Sequence, residues 1–146
     1  MNINIQTPVY TKEVNEHEFI ITSIASRVGI CPKLISWKCV DDEYTINLEK
    51  YPKTLSDVTG WSNYKKKAVE LLNKLHSLEI VHCDIYEHNI VVNPDTNDVK
   101  LIDFGLSEWY NDIKGENINY YGTSISVEEL FKEEMDVLVW LFDHGK

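Results

Sequence analysis

Cysteine, glycine and basic side chains are all scarce in this chain of 146 residues, and each scarcity removes a class of protein. The three cysteines, Cys31, Cys39 and Cys83, form no C-x-x-C pair. Their odd number and scatter argue against a disulfide framework or a zinc site. Of the six glycines none precedes Gly29, so the first part of the chain has no G-x-G-x-x-G loop whose amides could close over phosphates. Fourteen Lys and Arg stand against 24 Asp and Glu, for a formal net charge of −10. From Asp103 onward, ten acidic and three basic side chains leave a net of −7. That segment is either a solvated acidic helix face or a surface that attracts a basic protein. In both cases it repels a nucleic-acid backbone, so nucleic acid is not an expected partner. No run approaches the roughly 20 apolar residues of a membrane span, and no charged-then-apolar leader opens the chain. A cytoplasmic protein with no membrane partner is the expectation.

What is present suffices for one small domain. With 43% apolar residues the chain can bury a core. Asn, Ile, Lys and Tyr are abundant, which suits an AT-rich genome such as that of a large DNA virus or a parasite. Helical periodicity runs from Trp61 to Val81, with Ala68, Leu71, Leu72 and Leu75 on one face. That helix delivers the chain into His82-Cys83-Asp84, followed by Asn89. Ile90 to Val92, a turn over Asn93 to Asp98, and Val99 to Ile102 read as a hairpin whose second strand ends on Asp103-Phe104-Gly105. Two paired strands therefore bring Asn89 and Asp103 together although fourteen positions separate them.

The ordered set His82, Asp84, Asn89 and Asp103-Phe104-Gly105 resembles the H-R-D-x-x-x-x-N and D-F-G motifs of the protein-kinase superfamily, with Cys83 in the place of Arg. Ile102 to Ser107 and Gly29-Ile30-Cys31-Pro32 resemble segments of the compact atypical kinases of the RIO type and of the small kinase of the KEOPS complex. The resemblance covers roughly Val9 to Phe142. It implies an α+β fold, with residues 1–51 as a reduced N-lobe of antiparallel strands plus one helix and 52–146 as a truncated, mainly helical C-lobe. It also implies ATP and Mg²⁺ as cofactors, Asp84 as the base, and Asn89 and Asp103 as catalytic residues and Mg²⁺ ligands. His82 is expected to brace the loop, and Cys83 to be a small buried thiol. Asp136 resembles the buried Asp that fixes the catalytic loop's backbone in that family.

The first third of the chain supplies the nucleotide candidates. Ile5 to Lys12 looks extended, and Val9-Tyr10-Thr11-Lys12 has the V-x-x-K form of the lysine that contacts the α- and β-phosphates. Asn15 and Glu18 read as a capping box opening a helix that stops near Gly29. Glu18, or Glu16, would then pair with Lys12, unless Glu18 serves only as a cap. Strands Leu34 to Val40 and Tyr44 to Leu48 follow, joined by Asp41-Asp42-Glu43. The resemblance places the lobe linker at Glu49-Lys50-Tyr51-Pro52. Leu48 would line the back of the pocket, and Glu49 to Tyr51 would meet the adenine through their main chain.

Departures from the family pattern matter as much. The glycine loop and the A-P-E segment are absent, Cys83 offers no arginine to a phosphorylated loop, and Tyr86 stands where a lysine is common. Two functions follow. Either the chain is a minimal serine/threonine kinase-like enzyme transferring the γ-phosphate to a hydroxyl, or it is a kinase-derived module, a pseudokinase, that regulates a larger partner without turnover. A protein substrate, a regulatory partner or a second copy could cover the surfaces that missing helices leave bare.

Overall fold

The computed structural model of the chain describes residues 8–109, 117–118 and 125–146. Strands β1 (Val9–Val14), β2 (Leu34–Val40) and β3 (Glu43–Glu49) form an antiparallel sheet in the order β1-β3-β2. Alternation sends Tyr10, Lys12 and Val14 to the face that also carries Leu48, Ile46 and Tyr44, their register partners. The other face is polar: Thr11 donates to Asn47 Oδ1 at 2.6 Å, and Asn47 donates to Ser36 Oγ at 3.0 Å. The turn between β2 and β3 is tighter than the three residues read from sequence. Asp41 and Asp42 alone make it, both at positive φ (52° and 64°), which a two-residue I′ hairpin requires. The extended segment expected from Ile5 is β1; residues 5–7 lie outside the described residues.

Helix α1 (Glu16–Arg27) packs on the inner face of the sheet. Asn15 caps it, accepting from the Glu18 amide at 2.9 Å, and Glu16 and Glu18 place negative charge in its first turn. Gly29, at φ 80°, lets the chain leave the helix. Phe19 stacks on Tyr44 with centroids 4.3 Å apart and lies 4.8 Å from Trp37, so an aromatic cluster joins α1 to β2 and β3. Both ends of α1 are also tied to the rest of the chain. At its start His17 Nε2 lies 2.7 Å from the Ser107 carbonyl. Just past its end Lys74 donates to the Val28 carbonyl, Lys100 to the Gly29 carbonyl at 2.7 Å, and the Leu101 amide to the Ile30 carbonyl at 2.9 Å. Two ammonium groups thus meet the negative end of the helix dipole.

The lower part holds α2 (Lys65–Ser77) and a long helix, α3 (Val127–Asp143), which pack against each other, together with short strands. The helical run read from Trp61 is interrupted: Trp61–Asn63 is a separate 3₁₀ turn after Gly60 at φ 70°, and the α-helix starts at Lys65. Strands β4 (Lys53–Thr54), β5 (Ile80–Val81), β6 (Ile90–Asn93) and β7 (Asp98–Leu101) come next, and β6 pairs with both β4 and β7. Strand β8 (Glu108–Trp109) pairs with β5, and β9 (Asn117–Ile118) with β10 (Ile125–Ser126). One core runs through both parts, from Ile21, Ala25 and Ile30 to Leu72, Leu75, Leu101, Phe104, Leu138 and Phe142. No helix among the described residues is long and apolar enough to cross a membrane.

The cap on α1 makes a direct test of this account. Asn15→Ala should lower stability by about 1 kcal/mol in urea melts, whereas Asn15→Asp, which keeps the acceptor, should stay within about 0.5 kcal/mol of the parent.

Candidate active site

The upper wall of the cleft is built around Lys12. Strand β1 turns this side chain inward, and α1 presents Glu18 one turn inside its cap. Lys12 Nζ lies 2.6 Å from Glu18 Oε2 and 3.3 Å from Asp103 Oδ1. Burial works against the charge on Lys12, but the bonds and charges of Glu18 and Asp103 outweigh it and hold the ammonium above its ordinary pKa. Burial likewise opposes ionisation of Asp103, and the Gly105 amide, at 3.2 Å, together with Lys12 holds its carboxyl below the usual range. Glu16, the other candidate partner, forms no ion pair with Lys12. Gly105 leaves room for the two carboxylates at a tight approach. A Cβ there would stand 3.2 Å from Asp103 Oδ1 and 3.3 Å from Glu18 Oε1.

The lower wall is a loop under backbone constraint. Cys83 and Asp103 both take left-handed conformations, φ 71° and 64°, that cost a non-glycine residue free energy unless neighbours enforce them. At Cys83 the enforcement comes from Glu134 on α3. Its fully buried carboxylate accepts the His82 amide at 3.0 Å, the Cys83 amide at 2.7 Å and His76 Nε2 at 2.8 Å. Burial pushes the Glu134 carboxyl upward, but these hydrogen bonds overcome it and hold the group ionised, below the usual carboxylate range. The sequence had pointed to Asp136 for this role. Asp136 instead faces outward, its side chain 59% exposed, and pairs with Lys132 one turn away at 3.0 Å.

His82 then fixes the rest of the loop. Its Nδ1 accepts the Asp84 amide at 3.1 Å, so the ring carries its proton on Nε2, which donates to the Ile102 carbonyl at 2.8 Å. The ring also packs against Phe104, with centroids 5.3 Å apart. Ser107 donates to the His82 carbonyl at 2.9 Å. Asn89 donates through Nδ2 to the Asp84 carbonyl at 2.9 Å and to Asp84 Oδ2 at 3.0 Å, and the Ile102 amide donates to the Asn89 carbonyl at 2.9 Å. Cys83 is buried, while Tyr86 is exposed and meets His88 edge to face.

Two cavities share the cleft. One of about 220 Å³ is lined by Lys12, Glu18, Asn89, Asp103 and Phe104 among others. The other, about 390 Å³, is lined by Leu48, Glu49, Lys50 and Tyr51 of the linker, and by Asp57, Val91 and Ile102. Two of the linker's main-chain donors are engaged within the fold. The Glu49 amide already donates to the Lys33 carbonyl at 2.8 Å and that of Lys50 to the Pro8 carbonyl at 3.0 Å. Among the described residues the Tyr51 amide has no partner, and the Tyr51 hydroxyl is held by Asp98 at 2.5 Å.

The donor chemistry of the smaller cavity suits a hard divalent ion that keeps most of its own waters. Asn89 Oδ1 and Asp103 Oδ2 have no partner among the described residues, and no group of three His, Cys, Asp or Glu forms a metal cage among them. One carboxylate and one amide oxygen fit Mg²⁺ shared with phosphates better than a dedicated protein site. Asp84 stands beside them, its Oδ2 oriented by Asn89 and its Oδ1 unpartnered.

A model of the protein kinase domain matches residues 9–125. The chain belongs to the protein kinase family. Among curated relatives, a probable casein kinase II subunit alpha homolog of Encephalitozoon cuniculi is 38% identical over 48 residues, covering 33% of this chain and 15% of the relative. The serine/threonine-protein kinase pim-2 of Danio rerio is 29% identical over 113 residues, covering 66% of this chain and 36% of the relative. The structure of the Cydia pomonella granulovirus kinase, PK-1, shares the fold with a TM-score of 0.71 at 18% identity, covering 97% of this chain and 62% of that one. The chain therefore spans between about a seventh and three fifths of the length of these three proteins.

Glu134 generates a prediction with a defined sign in pH. Its carboxyl is depressed in the folded state. Its contribution to stability is thus complete above the ordinary carboxylate pKa, and it is lost as pH falls through the depressed value. Glu134→Gln leaves one acceptor and turns an NH₂ toward a buried amide. It should cost about 2–3 kcal/mol at neutral pH and flatten the fall in stability below pH about 4.5, both readable from denaturant melts across pH.

Proposed function

We propose that the chain is an ATP- and Mg²⁺-dependent phosphotransferase of the serine/threonine kinase type, transferring a γ-phosphate to a protein hydroxyl. The observation that carries this reading is the convergence of Lys12, Glu18, Asn89 and Asp103 on one cavity beside an oriented Asp84. In this reading Asp84 Oδ1 takes the proton of the attacking hydroxyl. Lys12, kept charged by Glu18, offsets the negative oxygens of the phosphates. Asn89 and Asp103 hold Mg²⁺, which supplies further charge neutralisation on the phosphates when bound. Leu48, Val91 and Ile102 offer apolar walls to a base, and the Tyr51 amide offers a donor to its edge. The excess of acidic side chains after Asp103 favours a basic protein substrate met inside the cell.

Lys12, Glu18 and Asp103 form one bonded group and Asp84 with Asn89 a second, and the retention of both sets favours turnover over the pseudokinase reading. Two measurements separate these alternatives. ATP with Mg²⁺ should raise the melting temperature, since binding at a hundredfold excess over Kd contributes about 2.7 kcal/mol. Asp103→Ala should abolish most of that rise, and an equal rise in the variant would remove Asp103 from the site. With labelled ATP and a generic basic protein, Asp84→Asn should keep the thermal shift yet cut transfer by about 10²- to 10⁴-fold. A full shift with no transfer in the parent chain would instead support a binding module.

A further inference from the structure

Between β3 and β4 the chain crosses the larger cavity with little to hold its backbone. The Glu49 and Lys50 amides are bonded to the Lys33 and Pro8 carbonyls, and Pro52 has no N–H. Among the described residues of the linker, Tyr51 therefore carries the one uncommitted amide. Beyond Pro52 the chain is fixed again, because Lys53 and Thr54 of β4 pair with Val92 and Val91 of β6. Its place before a proline biases Tyr51 toward extended backbone, but its own amide makes no bond that would set its direction.

The side chain supplies the restraint instead. The Tyr51 hydroxyl donates to Asp98 Oδ2 at 2.5 Å across 47 positions of sequence. Burial, then the bond to Asp98 and its charge, hold the phenol above its ordinary pKa, so the hydroxyl keeps its proton and stays a donor. Asp98 is itself held from two other sides. Its amide donates to Thr96 Oγ1 at 3.2 Å, and Lys67 Nζ on α2 lies 3.5 Å from its Oδ1. Tyr51 lines the larger cavity, whereas Asp98 lines neither of the two. Asp98 therefore acts on a ligand in that cavity through Tyr51 rather than by touching it.

We infer that Asp98 is a positioning residue of the nucleotide site: by holding the Tyr51 hydroxyl it aims the Tyr51 amide, the linker's free donor, at the edge of a bound base. This rests on the reading of the cleft as an ATP site. A donor that must be ordered as the ligand arrives costs affinity, and one already held in place does not. The base feels this latch. The phosphates, which meet Lys12 and Asp103 in the smaller cavity, do not depend on it.

The test is equilibrium binding of ATP and of inorganic tripolyphosphate, both with Mg²⁺, to the parent chain, to Tyr51→Phe, Asp98→Ala and Asp98→Asn, and to Tyr51→Phe combined with Asp98→Ala. Tyr51→Phe and Asp98→Ala each break the same hydrogen bond and should weaken ATP binding roughly three- to tenfold. Combined, they should bind ATP no more weakly than either alone, because the second change has no bond left to remove. Asp98→Asn keeps an acceptor for the hydroxyl and should stay within about twofold of the parent. Tripolyphosphate, which has no base, should bind every one of these proteins alike. Unchanged ATP binding in either single variant would overturn the assignment, as would losses that add when the two are combined. So would a parallel loss of tripolyphosphate, since the bond would then hold the fold and aim nothing. A parent chain that binds tripolyphosphate but not ATP would bring down the nucleotide reading itself, and this inference with it.

Discussion

The geometry of the lower wall depends on one buried carboxylate accepting two consecutive backbone amides. A left-handed Cys83 is unfavourable alone, and the chain adopts it because Glu134 accepts the amides of His82 and of Cys83 itself at 3.0 and 2.7 Å. From that bend follow the direction of Asp84, the tautomer of His82 and the reach of Asn89. Because Glu134 also accepts from His76, the same charge joins α2, the loop and α3. A buried charge held this way is costly to leave unpaired, so the three elements stand or fall together.

The upper wall answers to the same logic with the signs reversed. Here a cation, Lys12, is shared between Glu18 and Asp103, so the sheet, α1 and the segment after β7 meet at one ammonium. The two walls are joined through the backbone at Ile102, whose amide binds Asn89 and whose carbonyl binds His82. Asp103 follows directly, and its left-handed φ aims it at Lys12 rather than along the strand.

The sequence made the spacing of the polar residues, the cap of α1 and the β6–β7 hairpin legible, because each is a local pattern with one physical meaning. Glu134 was missed although a signal existed. Leu130, Glu134, Leu138 and Phe142 recur every four residues and are all buried, so Glu134 lies within the apolar stripe of α3. Asp136 lies roughly 200° around the helix from it; resemblance to a motif had outweighed periodicity. The lysine contacts past the end of α1 could not have been read at all. Lys74 and Lys100 lie 46 and 71 positions from the carbonyls they bind, and nothing local distinguishes them from exposed lysines. The same holds for the linker amides, whose partners Lys33 and Pro8 are set by how the strands come together.

Helix α1, tied to the lower part at both ends and to the sheet through Phe19 and Ser26, has a mechanical consequence. A jaw that yawned to admit its ligand would have to tear the ammonium groups from Val28 and Gly29 or draw Phe19 off the rings of Tyr44 and Trp37. The molecule is built instead as a recess with a braced back wall.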